Sequence, residues 1–93
     1  MSLRFTWDPK KAVANARRHR ITFEEAASAF ADPTSLTIPD PDHSQSEERF
    51  VLIGQSERGR LLVVVHTERG ETIRLITARL VTRSERQAYE EGS

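Results

Sequence analysis

The chain lacks two features that would place it in whole classes of protein. It has no cysteine among its 93 residues, which excludes disulfides and thiolate metal sites. It also has no apolar run of signal-peptide length at its start and none that could cross a bilayer. These absences predict a soluble, cytoplasmic protein. A chain of this length is expected to form one small domain, residues 1–93, with a single core and no deep cavity.

An excess of charge of one sign is also missing, because 14 Lys and Arg balance 14 Asp and Glu. A net charge of zero would argue against nucleic-acid binding if the charges were evenly spread. Residues 1–20, however, hold six Lys or Arg and one acid, whereas residues 21–48 hold seven acids and no Lys or Arg. Residues 49–93 hold eight Arg and six acids. This asymmetry allows one basic face for phosphate, although scattered solvated charge explains it equally well.

Two helices are predicted near the N-terminus. The first begins at Asp8 and Pro9, since Asp is a good N-cap and Pro suits the first helical position. Its apolar stripe consists of Pro9, Ala12, Val13 and Ala16. The second begins with a capping box in which Thr22 and Glu25 are expected to bond to each other's backbone. Its inward residues at helical spacing are Phe23, Ala26, Ala27 and Phe30.

Five strands and a third helix complete the predicted order, β-α-α-β-β-β-β-α. The strands are expected at residues 3–6, 35–38, 48–54, 61–67 and 72–80. The third helix begins at a second capping box, formed by Thr82 and Glu85, and turns Ala88 and Tyr89 inward. This order predicts an α+β fold in which an antiparallel sheet carries both N-terminal helices on one face, with the C-terminal helix following the sheet.

The last two strands form a hairpin that carries the strongest core signal. Val, Ile, Leu and Thr dominate both strands, and a short polar loop containing Gly70 joins them. Alternation leaves apolar residues on both faces, so we expect this hairpin to be covered on both sides. In a regular second strand, Arg74 and Arg79 lie on opposite faces. Because the two N-terminal helices cover only one face, the last helix or a partner must cover the other.

A polar loop follows Pro39 and contains Asp40, Asp42 and His43. These side chains could hold a metal ion, but Pro and Asp are also typical of a turn, and we interpret the loop as a turn. We therefore predict no metal site.

At this point the residues resemble a known family, the BrnT toxins. The resemblance is carried first by Phe5-x-Trp7-Asp8-Pro9-x-Lys11, Asn15, His19, Phe23-Glu24-Glu25-Ala26, Phe30 and Asp32-Pro33. It continues through Glu48-Arg49-Phe50, Gly54, Val64-Val65-His66-Thr67, Arg69, Arg74-Leu75-Ile76-Thr77-Ala78-Arg79, Glu85 and Tyr89. The one departure is Thr77, where Ser is common in the family.

The resemblance implies a RelE/ParE-like fold and the activity of a ribonuclease toxin from a type II toxin–antitoxin system. It implies a BrnA-like antitoxin partner with a ribbon-helix-helix DNA-binding part, through which alone the pair would contact operator DNA. No cofactor is expected. Cleavage without a metal would use the ribose 2′-hydroxyl as nucleophile. A positive group must then neutralise the phosphate, and an acid or base must move protons.

Six side chains are candidates for that chemistry. His66 is the candidate acid or base, since its unperturbed pKa lies near neutrality. Arg79 and Arg74 are candidates for the phosphate, because a guanidinium matches two phosphate oxygens and stays charged. Lys11 could reach RNA from the first helix. Arg49 and Arg69 are expected to contact the RNA backbone.

Each of the six candidates also has a structural explanation, as an ion pair, a solvated cation or a hydrogen-bonded histidine. Two other functions therefore stay open for the chain. One is a non-catalytic binding module in a repressor complex, and the other is a ParE-like inhibitor of a protein target.

Overall fold

The predicted order of elements is confirmed by the structure. A computed structural model describes residues 3–40 and 47–92. Its elements are β1 (Arg4–Thr6), α1 (Pro9–His19), α2 (Phe23–Ser28), a 3-10 turn (Ala29–Ala31), β2 (Leu36–Pro39), β3 (Phe50–Gln55), β4 (Leu61–Arg69), β5 (Thr72–Leu80) and α3 (Arg83–Gly92). The loop residues Asp42 and His43 lie outside the described residues. Within the described ranges, no helix is long and apolar enough to cross a membrane.

The five strands form one sheet in the order β1-β5-β4-β3-β2. The three pairs among β2, β3, β4 and β5 are antiparallel, as predicted. The pair between β1 and β5 is parallel, so the sheet is mostly rather than wholly antiparallel. These two strands lie at opposite ends of the chain, and no short hairpin constrains their relative direction.

A β-bulge interrupts the ladder between β4 and β5. Val65 pairs with Thr77, but the next residue of β4, His66, pairs with Leu75, which leaves Ile76 without an opposite residue. An extra residue in one strand reverses the alternation of side chains beyond it. The strand is therefore not regular, which was the condition for placing the two arginines on opposite faces, and Arg74 and Arg79 lie on the same face of the sheet.

One face of the sheet packs against α2 and the 3-10 turn, and we call it the covered face. Its core includes Leu62, Val64 and Leu75 of the hairpin, with Phe23 of α2. Phe30, expected to be fully inward, is only partly buried. The chain turns into a 3-10 helix at Ala29, which changes the spacing from 3.6 to three residues per turn and buries Ala29 instead.

The opposite face, which we call the open face, has a smaller core. Ile53, Leu61 and Val63 are buried there, and Val81 and Tyr89 at the α3 end pack against them. The hairpin is thus buried on both faces, as its sequence indicated. Ala88 was predicted to face inward but is exposed.

Helix α1 is anchored by a buried amide as well as by part of the predicted apolar stripe, of which Ala12 packs against the core. Val13 of that stripe is 55% exposed, whereas Asn15 is buried. The Asn15 side-chain amide donates to the carbonyls of Ile21 at 3.0 Å and Ala78 at 2.9 Å, and its oxygen accepts from the Ala78 N–H at 3.0 Å. The pairing of β1 with β5 ends at Arg74, so Asn15 satisfies the backbone of β5 further along the same edge.

The two predicted capping boxes have different outcomes. At α3, Glu85 Oε1 accepts from Thr82 N–H at 2.8 Å and Thr82 Oγ1 accepts from Glu85 N–H at 3.2 Å, which confirms the prediction. At α2 only Thr22 caps the helix. The Glu25 carboxylate instead accepts from Ser56 Oγ and from the Arg60 guanidinium, so it fastens α2 to the turn before β4.

Asp32 ties the C-terminal helix to the rest of the fold. Its carboxylate accepts from the Tyr89 hydroxyl at 2.7 Å, the Gln55 N–H at 2.8 Å and the Thr34 N–H at 2.9 Å. Burial raises the pKa of Asp32, but these hydrogen bonds outweigh it and lower the pKa to about 2. The ionised form is therefore the one that holds α3.

Replacing Asn15 by Ala should destabilise the fold even though Ala is the better helix former. Three hydrogen bonds are lost and buried backbone groups of Ile21 and Ala78 are left unpaired, so we expect a loss of about 3 kcal/mol. Chemical denaturation measures this change. Gln87→Ala, which removes an exposed amide from α3, is the matched control. Equal stability of the two variants would show that the anchor contributes nothing.

Asp32→Asn should remove part of the acid sensitivity of the fold. Because the folded-state pKa lies below the unfolded value of 3.8, the contribution of Asp32 is complete above pH 4. It is lost as the pH falls toward 2. The midpoint temperature of thermal unfolding should therefore fall less steeply between pH 5 and pH 2 for Asp32→Asn than for the parent. Glu24→Gln, at an exposed carboxylate, should keep the parental slope; an unchanged slope for Asp32→Asn would contradict this account.

Candidate functional site

The open face contains a cavity of about 510 Å³ beside α3, which we call the open-face cavity. Its floor is apolar and is formed by Ile38, Val51, Ile53, Val63 and Val65. Its polar rim is formed by Asp40 and Arg79 of the sheet side and by Ser84 and Glu85 of α3. An apolar floor with a few convergent polar groups is the usual form of a binding site.

Arg79 is the best-positioned candidate at this cavity. Its Nη1 and Nη2 atoms donate to the two Glu85 carboxylate oxygens at 2.9 and 2.8 Å, and Nη1 also donates to the Leu80 carbonyl at 3.1 Å. The hydrogen bond to Glu85 raises the pKa of Arg79 against its burial. The same bond lowers the pKa of Glu85 to about 2, so the pair is charged at neutral pH.

This ion pair uses only one edge of the guanidinium. An arginine has five N–H donors, and the contacts to Glu85 and Leu80 take three of them. Within the described residues, Nε–H and the second hydrogen of Nη2 have no acceptor. These two donors form a second fork with the geometry that suits two phosphate oxygens. Glu85 thus fixes the orientation of Arg79 without exhausting its capacity to bind an anion.

Arg74 and Arg69 lie together in a different place. They line a cavity of about 260 Å³ near the turn of the hairpin, which we call the hairpin-end cavity, with Thr6, Glu47, Thr67 and Thr72. Arg74 Nη2 donates to both oxygens of Glu47, at 2.8 and 3.0 Å. Arg49 lies near the same carboxylate, with Nε 3.8 Å from its Oε1 atom. Glu47 therefore links Arg74, a candidate for the phosphate, with Arg49, a predicted contact of the RNA backbone.

The two arginines of β5 lie on the same face but are too far apart in these positions to bind one phosphate together. Arg74 and Arg79 pair with Thr67 and Val63, which are four residues apart on β4, so the two arginines are separated by roughly 13 Å along the sheet. Each is held by a carboxylate at its own end of the strand, Glu47 for Arg74 and Glu85 for Arg79. A nucleic acid that contacted both would have to run along β5.

His66 is separated from all of these arginines by the sheet itself. It lies on the covered face and its exposed fraction is 0%. The ring contacts Phe30 edge-on and stacks on Phe50, with centroid distances of 4.8 and 6.0 Å. Its Nε2 atom is 2.9 Å from Glu68 Oε2. The structure therefore does not bring the predicted acid or base together with the predicted phosphate ligands.

Lys11 occupies a third location, between α1 and the free part of the β5 edge. It lines a cavity of about 240 Å³, which we call the α1–β5 cavity, with Ala14, Asn15, Arg18, His19, Ile76 and Thr77. Of the six predicted site residues, only Arg69 and Arg74 line the same cavity.

Two features of the site were not predicted from the sequence. Glu85 was assigned only to a helix cap, yet it also orients Arg79. Arg18 was not selected, yet it lines the same cavity as Lys11. The spacing of Lys11 and Arg18, seven residues apart on one helix, could have indicated the second feature. In the described residues, no three His, Asp or Glu side chains are grouped as metal ligands.

Comparisons with known proteins agree with this architecture. A family model described as the ribonuclease toxin BrnT of type II toxin–antitoxin systems matches residues 7–85. The crystal structure of the Brucella abortus ribonuclease toxin BrnT is similar, with a TM-score of 0.66 and 16% identity over 88% of this chain and 100% of that chain. No curated protein matches the sequence. Because the family model covers most of the chain, the chain belongs to the BrnT family of ribonuclease toxins of type II toxin–antitoxin systems.

Proposed function

We propose that the chain is a cytoplasmic, RelE-like endoribonuclease that cuts mRNA without a metal ion and so arrests translation. The observation that carries this proposal is Arg79, held by Glu85 at the rim of the open-face cavity with a second fork of donors left over. A preorganised cation beside a cavity is what stabilisation of a phosphate transition state requires.

In the proposed reaction the ribose 2′-oxygen attacks the neighbouring phosphorus. The new bond joins the 2′-oxygen to phosphorus, and the bond from phosphorus to the 5′-oxygen breaks. The 2′-hydroxyl loses a proton and the leaving 5′-oxygen gains one, which yields a cyclic phosphate and a free 5′-hydroxyl. Arg79 would stabilise the charge that builds on the two non-bridging oxygens. Arg74, Arg69 and Arg49 would hold phosphates further along the strand, and Lys11 would act from α1.

Proton transfer is the step that the present geometry supports least. A general acid or base must come within about 3 Å of the proton it moves, directly or through one water. His66 is fully buried on the covered face, below Phe30 and beside Phe50. A direct role for His66 would therefore require these rings to move aside. His66→Gln tests that role, since loss of cleavage with a retained fold would support it.

The burial of His66 favours a second candidate function, non-catalytic binding of nucleic acid within a repressor complex. Incubation of the purified chain with RNA in excess chelator separates the candidates. Fragments with cyclic phosphate ends support the proposed nuclease, and fragments that form only without chelator contradict metal independence. Intact RNA that binds tightly supports the second candidate. Intact, unbound RNA supports a ParE-like action on a protein target.

Arg79→Ala should slow single-turnover cleavage by a factor of about 100 or more, the scale of losing one positioned donor to a transition state. Arg79→Lys should restore only part of the rate, because an ammonium cannot make the two-pronged contact. The measurement uses saturating enzyme, with circular dichroism to check the fold.

Arg58→Ala is the control for this experiment, because Arg58 is exposed in the turn before β4. It should weaken RNA binding slightly and leave the rate of the bound complex unchanged. A folded Arg79→Ala protein that cuts at the parental rate would assign Arg79 a structural or partner-binding role instead.

A type II toxin has an antitoxin partner, and we propose that a BrnA-like antitoxin with a ribbon-helix-helix part covers the open face. This face offers an apolar floor that α3 covers only in part, and Ile38 on it is half exposed. Around it lie Arg79, Arg74 and Arg69, which suit a partner with acidic side chains. Such a partner would silence the toxin by occupying the site of RNA.

Val65→Glu should prevent the complex with the antitoxin, because it places a carboxylate on the apolar floor of the open face. Val13→Glu makes the same change at an exposed valine of α1 and should leave the complex intact. Co-expression with the antitoxin followed by size exclusion measures both. Co-elution of the Val65→Glu protein with its partner would show that the antitoxin binds elsewhere.

A further inference from the structure

The α1–β5 cavity has a composition that sets it apart from the two cavities on the open face. One side consists of α1 residues on a single helix face, among them Lys11, Arg18 and His19. The other side is the edge of β5 at its bulge, where Ile76 and Thr77 line the cavity. Its volume of about 240 Å³ suits a group of the size of one phosphate with part of its sugar.

The positive charge in this cavity is not compensated. No acidic residue lines it, and neither Lys11 nor Arg18 forms an ion pair in the part of the chain that the structure describes. Arg79 and Arg74 on the open face differ, because Arg79 is paired with Glu85 and Arg74 with Glu47. The dipole of α1 favours cations near its C-terminal end, which accounts for the presence of Arg18. It does not account for Lys11, which lies in the first turn of the helix and lines the same cavity.

The cavity is also linked to the proposed cleavage site through one strand, because β5 supplies residues to both. Thr77 is exposed and pairs with Val65, which lies on the floor of the open-face cavity. Arg79 follows two residues later on the same face, and two residues of strand span about 6.6 Å. One nucleotide of an extended single strand can bridge such a step. A strand with its scissile phosphate at Arg79 could therefore place a neighbouring phosphate at Thr77.

We propose that the α1–β5 cavity binds a phosphate of single-stranded RNA next to the phosphate held by Arg79. Lys11 and Arg18 supply the charge, and the Thr77 hydroxyl and His19 imidazole supply further hydrogen-bonding groups. Ala14 and Ile76 form an apolar wall against which the sugar packs. The proposal rests on the proposed function, since it names a subsite of the same substrate. In this proposal, the nucleotide next to the scissile phosphate runs toward the edge of β5 and not toward the hairpin end.

An acidic segment of a protein partner could also be attracted to Lys11 and Arg18. RNA is the better match because Thr77, which lines the cavity, lies on the same face of β5 as Arg79, the cation proposed for cleavage. The two ligands make different demands: RNA needs phosphate contacts at both sites, whereas a peptide carboxylate needs only the cavity. An acidic peptide is therefore included in the test as a competing ligand.

Arg18→Gln tests the subsite, with Arg17→Gln as its matched control. The two arginines are neighbours on α1, and the changes in charge and size are identical. Arg17 lies away from the α1–β5 cavity, beside Val13 and Ala16. Binding is measured with a single-stranded oligonucleotide whose 2′-hydroxyls are methylated, so that it cannot be cut, over a range of salt concentrations.

Loss of one phosphate contact should weaken binding about fivefold at 0.1 M salt and reduce the slope of log K against log salt by about 0.7. We expect both effects for Arg18→Gln and for Lys11→Gln, and neither for Arg17→Gln. Equal weakening by Arg17→Gln and Arg18→Gln would overturn the subsite in favour of diffuse attraction. Parental binding by Arg18→Gln would overturn it as well. The subsite would also be overturned if Arg18→Gln bound a polyglutamate peptide more weakly than the parent does but bound the oligonucleotide equally well.

Failure of the subsite and failure of the proposed function give different results. A parent that cuts RNA, with an Arg18→Gln variant that binds the methylated strand as the parent does, removes the subsite alone. A parent that binds the methylated strand through Arg18 but cuts no cleavable strand removes the nuclease alone. A parent that binds no single strand at all overturns both.

Discussion

The bulge at Ile76 decides on which face of the sheet the candidate site residues of β5 lie. Without it, Arg74 and Arg79 would project to opposite faces, and Ala78 would not be turned toward the covered face. With it, both arginines lie on the open face, while the backbone of Ala78 is bonded by Asn15. One extra residue in β5 thus sets both the anchor of α1 and the line of cations along the strand.

The carboxylates that hold these cations explain how a chain of zero net charge can suit a nucleic acid. Glu85 balances the charge of Arg79, and Glu47 balances that of Arg74, but each leaves some guanidinium N–H groups available to bind a phosphate. A phosphate that arrives meets donors whose orientation is already fixed, and little conformational entropy is lost on binding. Two ion pairs of this kind contribute more to positioning than to stability, because partly exposed pairs stabilise a fold only weakly.

The elements of the fold could be predicted from the sequence because each has a local signal. The hairpin has its β-branched residues, and α3 has its capping box. The errors concern contacts between distant parts of the chain. The parallel pairing of β1 with β5 and the diversion of Glu25 to Arg60 depend on tertiary packing that no local pattern encodes. The 3-10 turn that leaves Phe30 half buried belongs to the same group.

The positions of the candidate site residues were harder to predict for a related reason. Residue type identified Arg79 and Arg74, but only the bulge decides the face on which they lie. His66 was selected for its chemistry, and its burial between Phe30 and Phe50 shows that residue type alone does not reveal whether a histidine is accessible to a substrate. Arg79 depends on Glu85, which is six residues away across the junction of strand and helix.

In the proposed scheme, RNA and antitoxin compete for a single surface. One cavity contains both the apolar floor that would attract the antitoxin and the cation that would bind the phosphate. A partner that buried Val65 would therefore also cover Arg79, and no change of conformation would be needed for inhibition. The α1–β5 cavity lies outside that floor, at the edge of β5. RNA could keep contact there while the cleavage site is covered, so inhibition of cutting need not abolish binding.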